Sequence, residues 1–373
     1  MEIPIRTTCL TYKVVSSSGT QQLEILAPMG DRFSSTCRFE LCPAYICHLF
    51  IQVKTITKSS VCQKMTESPS TGVPYTQQNL HKGSHYIKDG NTLIPCQSPV
   101  NPLSLQPGQE SLTVLAKQMG RLVIEWDLSW VTKSGYGVRP AEAEAMRLVS
   151  KYTNVPVPEV LFTHFDPEKP ITDRSEFFKP DFRFPEGAIT MTIIPGTPLE
   201  REWDKLDDEA KRSICVQLWI LISRIRDIPR PEELVGLYQC AADGSPSRDP
   251  MLEDLQSPAR PLSSDAELRA RLYDRYIYCG GSRFKDQLLD LLPRSERSVF
   301  THADIAPRNV MVDEQNNVTG ILDWEWAGWY PEYWEYAQIM RPAFWGDWSV
   351  WMDKTAPQRW DLGGINAARK VLF

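Results

Sequence analysis

Leu122, Ile124, Trp126, Leu128 and Trp130 alternate with more polar positions, the period-two pattern of a half-buried strand running towards Lys133. Past Pro140 the period changes. Residues 141–151 read as a helix with proline in its first turn. Val155-Pro156-Val157-Pro158 ends that helix, because each proline biases its predecessor towards extended backbone. A short apolar run over 188–194 closes on a Pro195-Gly196 turn. Asp207-Asp208 then open a helix in which Ile214, Leu218, Leu221, Ile222 and Ile225 recur at helical spacing. Residues 268–276 and 284–292 repeat that pattern, while the Pro- and Ser-rich stretch 241–265 reads as a long surface loop. Val310-Met311-Val312 and residues 318–322 predict two short buried strands about an Asn316-Asn317 turn.

Residues 1–106 behave differently. They are rich in Ser, Thr, Pro and Gln, lack sustained periodicity, and are expected to be largely disordered, because such composition buries little apolar surface. The apolar run 41–53 is interrupted by Pro43 and His48 and falls short of the ~20 residues that span a bilayer. No basic segment and small-residue cleavage site mark a secretory signal. Cys9, Cys37, Cys42, Cys47, Cys62 and Cys96 contain no C-x-x-C pair, which argues against a zinc site. Their scatter suits a reducing, cytoplasmic setting. A net charge of −6 without a Lys/Arg stripe argues against a nucleic-acid partner. At 373 residues the chain accommodates one two-lobed domain plus a tail.

The chemistry concentrates in residues 301–336. His302-x-Asp304 is followed by Asn309 and, after the two predicted strands, by Asp323. Four residues separate Asp304 from Asn309, the spacing of a kinase catalytic loop. An alcohol is a poor nucleophile, so a carboxylate must align it and take its proton; Asp304 is the candidate base. Magnesium is a hard cation that prefers oxygen, and Asp323 offers a carboxylate and Asn309 a carbonyl oxygen. His302 is placed to brace the loop, and Pro307 stiffens it. A hairpin carrying Asn309 at one end and Asp323 at the other is the scaffold such a site requires.

These motifs resemble the aminoglycoside phosphotransferase and choline kinase-like superfamily, especially its fungal branch. Residues 302–309 match its H-x-D-x-x-P-x-N loop, residues 321–325 its I-x-D-W-E strand end, and residues 328–336 its aromatic G-W-Y-P-E-Y-W-E-Y run. Ala303 stands where Gly is more usual, and Ile305 where Leu is common. The resemblance implies an α+β, protein kinase-like fold with a small α/β lobe over about 107–194 and a mostly helical large lobe over about 195–373. It implies ATP and Mg²⁺ as cofactors, Asp304 as base, and Asn309 and Asp323 as metal ligands. Upstream, Val131-Thr132-Lys133 and Ala141-Glu142-Ala143-Glu144 look like the strand lysine and helix glutamate that seat the phosphates. Alignment to the family favours Glu142; a slipped register would select Glu144. Backbone groups near Met191 to Ile194, Ile193 among them, would contact adenine.

The expected activity is transfer of the ATP γ-phosphoryl group to a hydroxyl of a small molecule. Two features pull the other way. A G-x-G-x-x-G loop is missing, with Gly108 and Gly120 isolated, and residues 107–130 leave little room for two strands and a turn. The alternative is therefore a pseudokinase-like binding module with an incomplete nucleotide lobe. A protein-serine kinase fits less well, since W-E replaces F-G and no A-P-E element follows. A further reading treats part of the N-terminal stretch as mispredicted coding sequence, with Met65 as the true start. Trp324, Trp326, Trp329, Trp334 and Trp345 are read as core packing in preference to a cation-binding box. Asp323, Glu325, Glu332 and Glu335 would suit a cationic acceptor, or serve structure alone.

Overall fold

The computed structural model describes residues 11–17, 20–26, 72–118, 120–166, 186–256, 259–342 and 346–373. The segment 41–53, Met65, Trp345, Cys9, Cys37, Cys42, Cys47 and Cys62 lie outside the described residues. Strands β1 (Thr11–Ser17) and β2 (Thr20–Leu26) form an antiparallel hairpin with Thr11 opposite Leu26. A separate compact unit covers residues 68–372.

The N-terminal part of that unit is an eight-stranded antiparallel sheet. It is built from β3 (Val73–Pro74), β4 (His85–Asp89), β5 (Thr92–Cys96), β6 (Gln109–Gln118), β7 (Arg121–Trp126), β8 (Trp130–Tyr136), β9 (Val160–Phe165) and β10 (Glu186–Thr192). Their spatial order is β3-β5-β4-β6-β7-β8-β10-β9. Helix α1 (Pro140–Tyr152), with proline in its first turn, follows β8 and packs against β9.

The sheet begins well before the boundary at residue 107 drawn from the sequence. Leu112 and Val114 of β6 and Leu122 and Ile124 of β7 are at most 5% exposed, because Leu80, Tyr86 and Leu93 cover them in a small second core. Without the segment from residue 72 onward those side chains would face water. The β4–β5 hairpin turns at Gly90-Asn91, where Gly90 takes φ 55°, a conformation open to glycine at little cost. The stretch 107–130 also holds more than its length suggested: β6 has ten residues and β7 six. Leu128, read from its alternation as a strand residue, lies instead in the β7–β8 turn with φ 53°.

The C-terminal part is mostly helical. It contains α2 (Leu199–Glu202), α3 (Asp208–Arg226), α4 (Asp265–Tyr278), α5 (Leu288–Leu291), α6 (Trp334–Ile339), α7 (Trp348–Thr355) and α8 (Gly363–Leu372). Asp207 caps α3 by accepting from the Ala210 N–H at 2.8 Å. Ile214, Leu218, Leu221, Ile222 and Ile225 are all buried, the face their spacing predicted. Two three-stranded sheets complete this part. One runs β11 (Thr197–Pro198), β14 (Val310–Val312), β15 (Val318–Ile321); the other runs β12 (Cys240–Ala241), β16 (Gly328–Pro331), β13 (Ser298–Thr301).

Residues 241–265 are not simply a surface loop. Met251, Leu252 and Leu262 are at most 2% exposed, and Asp249 is fully buried. The Asp249 carboxylate accepts from the Trp334 indole N–H at 2.8 Å, from Gln338 Nε2 and from the Met251 N–H at 2.9 Å, so burial leaves its charge hydrogen-bonded. Trp324, Trp329 and Trp334 are at most 2% exposed, Trp329 edge-on to Phe300 and Trp334 stacked on Tyr330. Each such ring removes roughly 200 Å² from water, on the order of 5 kcal/mol of transfer free energy. They form core, as expected. No helix among the described residues is long and apolar enough to cross a membrane.

Candidate active site

β13 delivers the chain to His302, whose side chain is inaccessible to solvent. The backbone N–H groups of His302 and Ala303 both donate to Glu335 Oε2, at 2.8 and 3.3 Å. Ala303 sits at φ 66°, where a Cβ costs about 1–2 kcal/mol and glycine costs less. The glycine usual at this position of the family motif is thereby explained. The Asp304 N–H donates to His302 Nδ1 at 3.1 Å, so Nδ1 is the acceptor. The ring hydrogen is then on Nε2, which donates to the Leu322 carbonyl at 3.0 Å. The ring also packs edge-on against Trp324, with centroids 4.6 Å apart. His302 is a brace between the two halves of the site.

Asp304 follows with 5% exposure. Its Oδ2 accepts from Asn309 Nδ2 at 2.9 Å and from Arg308 Nη2 at 2.5 Å; Oδ1 accepts from Arg341 Nη2. Asn309 Nδ2 also donates to the Asp304 carbonyl at 2.9 Å. With its Nδ2 fixed on Asp304, Asn309 keeps its side-chain Oδ1 for another partner. The Leu322 N–H donates to the Asn309 carbonyl at 2.8 Å. Leu322 is thus held at both backbone groups, by Asn309 and by His302. That grip presents the next residue, Asp323, at φ 64°, a conformation rare outside glycine, asparagine and aspartate.

Lys133 comes from the middle of β8, opposite Ile189 and Val123. Its Nζ lies 2.8 Å from Glu142 Oε1, 2.7 Å from Asp323 Oδ1 and 3.7 Å from Glu325 Oε2. Glu142 stands in the first turn of α1, while Glu144 points outward beside Arg147. Glu325 also receives Arg121 from the start of β7. Burial works to lower the Lys133 pKa, but Glu142, Asp323 and Glu325 outweigh it and hold the ammonium well above the ordinary lysine value. Burial likewise opposes charge on Asp323, yet Lys133 keeps that carboxyl below its usual range. Glu142 goes the other way: burial pushes it up to about 7 against the pull of Lys133.

A pH dependence follows. A carboxyl that binds its proton more tightly when folded contributes stability at low pH and loses it as pH rises. For Glu142 the window runs from its ordinary 4.5 up to about 7. The thermal midpoint of the parent, measured relative to Glu142→Gln, is expected to fall as pH rises from about 5 to 8. A difference between the two proteins that stays flat over that range contradicts this picture of the pocket.

The structure therefore brings Lys133, Glu142 and Asp323 into direct contact, and Asp304, Asn309 and His302 into a second contact group joined to the first through Leu322. Met191 is buried at 9% near the end of β10, and Ile193 follows that strand half-buried, with no side chain of either in the Lys133 or Asp304 groups. Sequence reasoning missed Arg308 and Arg341 on Asp304, Arg121 on Glu325, and the grip of Glu335 on the loop. The position of Arg308, one residue before Asn309, was the only local signal among these; the rest depend on contacts across more than thirty residues.

Residues 136–363 match the family model described as "Phosphotransferase enzyme family". Among solved structures, the chain is similar to ADP-bound aminoglycoside phosphotransferase APH(2'')-Ib, with 13% identity, coverage of 70% of this chain and 80% of that chain, and a TM-score of 0.44. It is similar to aminoglycoside-3'-phosphotransferase of type VIII at 17% identity, 70% and 93% coverage, and a TM-score of 0.44. A third likeness is to apo macrolide 2'-phosphotransferase MphH from Brachybacterium faecium, at 14% identity, 69% and 82% coverage, and a TM-score of 0.40. No curated protein matches the chain.

Proposed function

The chain belongs to the phosphotransferase enzyme family, and on that premise we propose that it transfers the γ-phosphoryl group of ATP to a hydroxyl of a small molecule. The observation that carries the proposal is the Lys133 ammonium shared between Glu142 and Asp323, set one hydrogen-bonded step from Asp304 and Asn309. Phosphoryl transfer depends on positioning and charge neutralisation, and these residues divide that work. Lys133, held by Glu142, meets the phosphates when it exchanges Asp323 for them. Backbone groups from Met191 through Ile193 receive the adenine. Asp304 aligns the acceptor hydroxyl and takes its proton as the acceptor oxygen bonds to phosphorus and the bond to the ADP oxygen breaks. Asp304 has about four lone-pair positions, and Arg308, Arg341 and Asn309 take three, which leaves one for that hydroxyl. The catalytic unit in this reading starts near residue 72, where the sheet starts.

The donor set fits Mg²⁺. Lys133 meets Asp323 through Oδ1 only, and Asn309 gives its Nδ2 to Asp304 and so keeps its side-chain oxygen for another partner, which together offer a hard cation a carboxylate and a neutral oxygen. Asn309 and Asp323 would hold the ion, which supplies charge neutralisation on the phosphates when bound.

One observation favours a second reading. Two guanidiniums on Asp304 suit a module that binds nucleotide without transferring phosphate. The two are separated by incubating the protein with Mg·ATP and a panel of hydroxylated small molecules, and following ADP and product by mass. Phosphorylated product that disappears when Mg²⁺ is chelated is the expected result. Nucleotide binding with no product from any acceptor would replace the enzyme by the binding module.

A further inference from the structure

Resting on the phosphotransferase reading, we propose that the side chain of Arg121 binds the terminal phosphate of a nucleoside triphosphate, the task of the glycine-rich loop that the sequence lacks. The hairpin that would carry such a loop is tight. β6 ends at Gln118 and β7 begins at Arg121, and these two are cross-strand partners, which leaves two residues to join them. The Tyr136 ring covers Gly120 so closely that a Cβ there would fall 1.9 Å from Tyr136 Cε1. A turn this short, with a ring against it, leaves a phosphate to be met by side chains.

The strand register supplies one. Lys133 stands opposite Val123, and Arg121, two residues before Val123, stands opposite Gly135. Residues two apart on a strand share a face with their direct cross-strand partners, so Arg121 and Lys133 emerge on the same side of the sheet. Their head groups converge on one atom. Glu325 Oε2 accepts from Arg121 Nη1 and lies 3.7 Å from Lys133 Nζ. Gly135 sends no side chain across this path, and a Cβ on Gly137 would lie 3.1 Å from Arg121 Nη2 and 3.3 Å from Nε. The guanidinium thus rests in space that glycines leave open, and at 34% side-chain exposure it is more open to a ligand than Lys133 at 10%. No unpaired cation is required. Arg121 keeps Nη1 on Glu325 and turns others of its five N–H groups to phosphate oxygens, whose geometry matches its fork. The position selects the terminal phosphate. Burial first, then Asp323 and Asp304, push the Glu325 carboxyl up against the pull of Lys133 and Arg121, so Glu325 and its arginine lie within electrostatic reach of the acceptor-aligning carboxylate. The phosphate met on that side is the one to be transferred.

The test measures Kd for Mg·ATP and for Mg·ADP by calorimetric titration of the parent, Arg121→Gln and Arg121→Lys. Thermal midpoints of the free proteins show that each is folded. A contact to the terminal phosphate has no counterpart in the diphosphate. Arg121→Gln is therefore expected to weaken Mg·ATP about tenfold, the loss of one charge-assisted hydrogen bond, and Mg·ADP by less than about threefold. Arg121→Lys should recover part of the loss for Mg·ATP, since it keeps the charge without the fork. Arg121→Met is read in the same way as Arg121→Gln, so the result does not depend on one variant folding. A purely structural role, in which Arg121 only ties the hairpin to Glu325, would weaken both nucleotides alike, and that result overturns the proposal. So does an uncharged variant that binds both as the parent does. Failure of the phosphotransferase reading itself looks different: the parent would bind neither nucleotide.

Discussion

Replacing Asp304 by Asn is expected to lower turnover by about 10²–10⁴-fold while preserving the thermal shift caused by Mg·ATP. The size reflects the loss of a general base aligned on the acceptor. The amide keeps the shape of the carboxylate, so Asn309 retains an acceptor for its Nδ2, and His302 still receives the backbone N–H of residue 304. Asparagine is chosen over alanine because it keeps one oxygen as an acceptor for Arg308 and Asn309, whereas alanine would leave them none. The nucleotide response depends on Lys133 and Asp323, which this change does not touch. Steady-state kinetics and midpoints on one preparation separate the two effects. Turnover that survives the substitution would remove Asp304 from the role of base.

Lys133→Met is expected to be the most destabilising single change in the site. It removes the cation that pulls down the pKa of Glu142, which is 2% exposed and already held up to about 7. The carboxyl must then bind a proton or stay charged without a partner, and breaking a buried pair from one side costs at most about 3–5 kcal/mol. The loss of Asp323's partner adds little, because its side chain is 35% exposed. The double variant Lys133→Met, Glu142→Gln removes the titrating carboxyl, and its gain over Lys133→Met in urea unfolding should grow as pH rises from about 5 to 8. Neither variant should respond to Mg·ATP, because the phosphate-seating cation is gone from both. A double variant no more stable than Lys133→Met would show that the cost lies in packing, not in the uncompensated carboxylate. A normal Mg·ATP response in either variant would remove Lys133 from the nucleotide site.

Much of this arrangement could be read from the chain because it is local. His302, Asp304, Asn309 and Asp323 fall within 22 residues, and the strands that separate Asn309 from Asp323 carry their own apolar runs and an Asn316 turn at φ 62°. Helix α3 was equally legible, with its Asp207 cap and five evenly spaced apolar residues. Choosing Glu142 over Glu144 needed the family alignment, and the structure shows why the two differ: positions two apart on α1 diverge, one inward to Lys133 and one outward to Arg147.

What stayed hidden depends on distance or on disguise. Glu335 acts on the loop from thirty-two and thirty-three residues away, and Arg341 reaches Asp304 from thirty-seven. No spacing rule links such pairs. Strands β4 and β5 lie in a Ser- and Thr-rich region whose average polarity masks the alternation through Tyr86 and Leu93, although Asp89-Gly90-Asn91 is a hairpin turn signal. Asp249 shows the same limit from the other side. An aspartate between Arg248 and Pro250 reads as solvated loop, and only the approach of Trp334 and Gln338 makes it a buried acceptor.

Thermal unfolding with and without saturating Mg·ATP reads directly whether Lys133, Asp323 and Asn309 form a working magnesium–nucleotide site. At a hundred times its Kd a ligand that binds only the folded state stabilises it by about 2.7 kcal/mol. The parent should therefore gain a clear midpoint shift, lost when Mg²⁺ is chelated and lost in Asp323→Ala. No shift in the parent, or an undiminished shift in Asp323→Ala, would contradict the account.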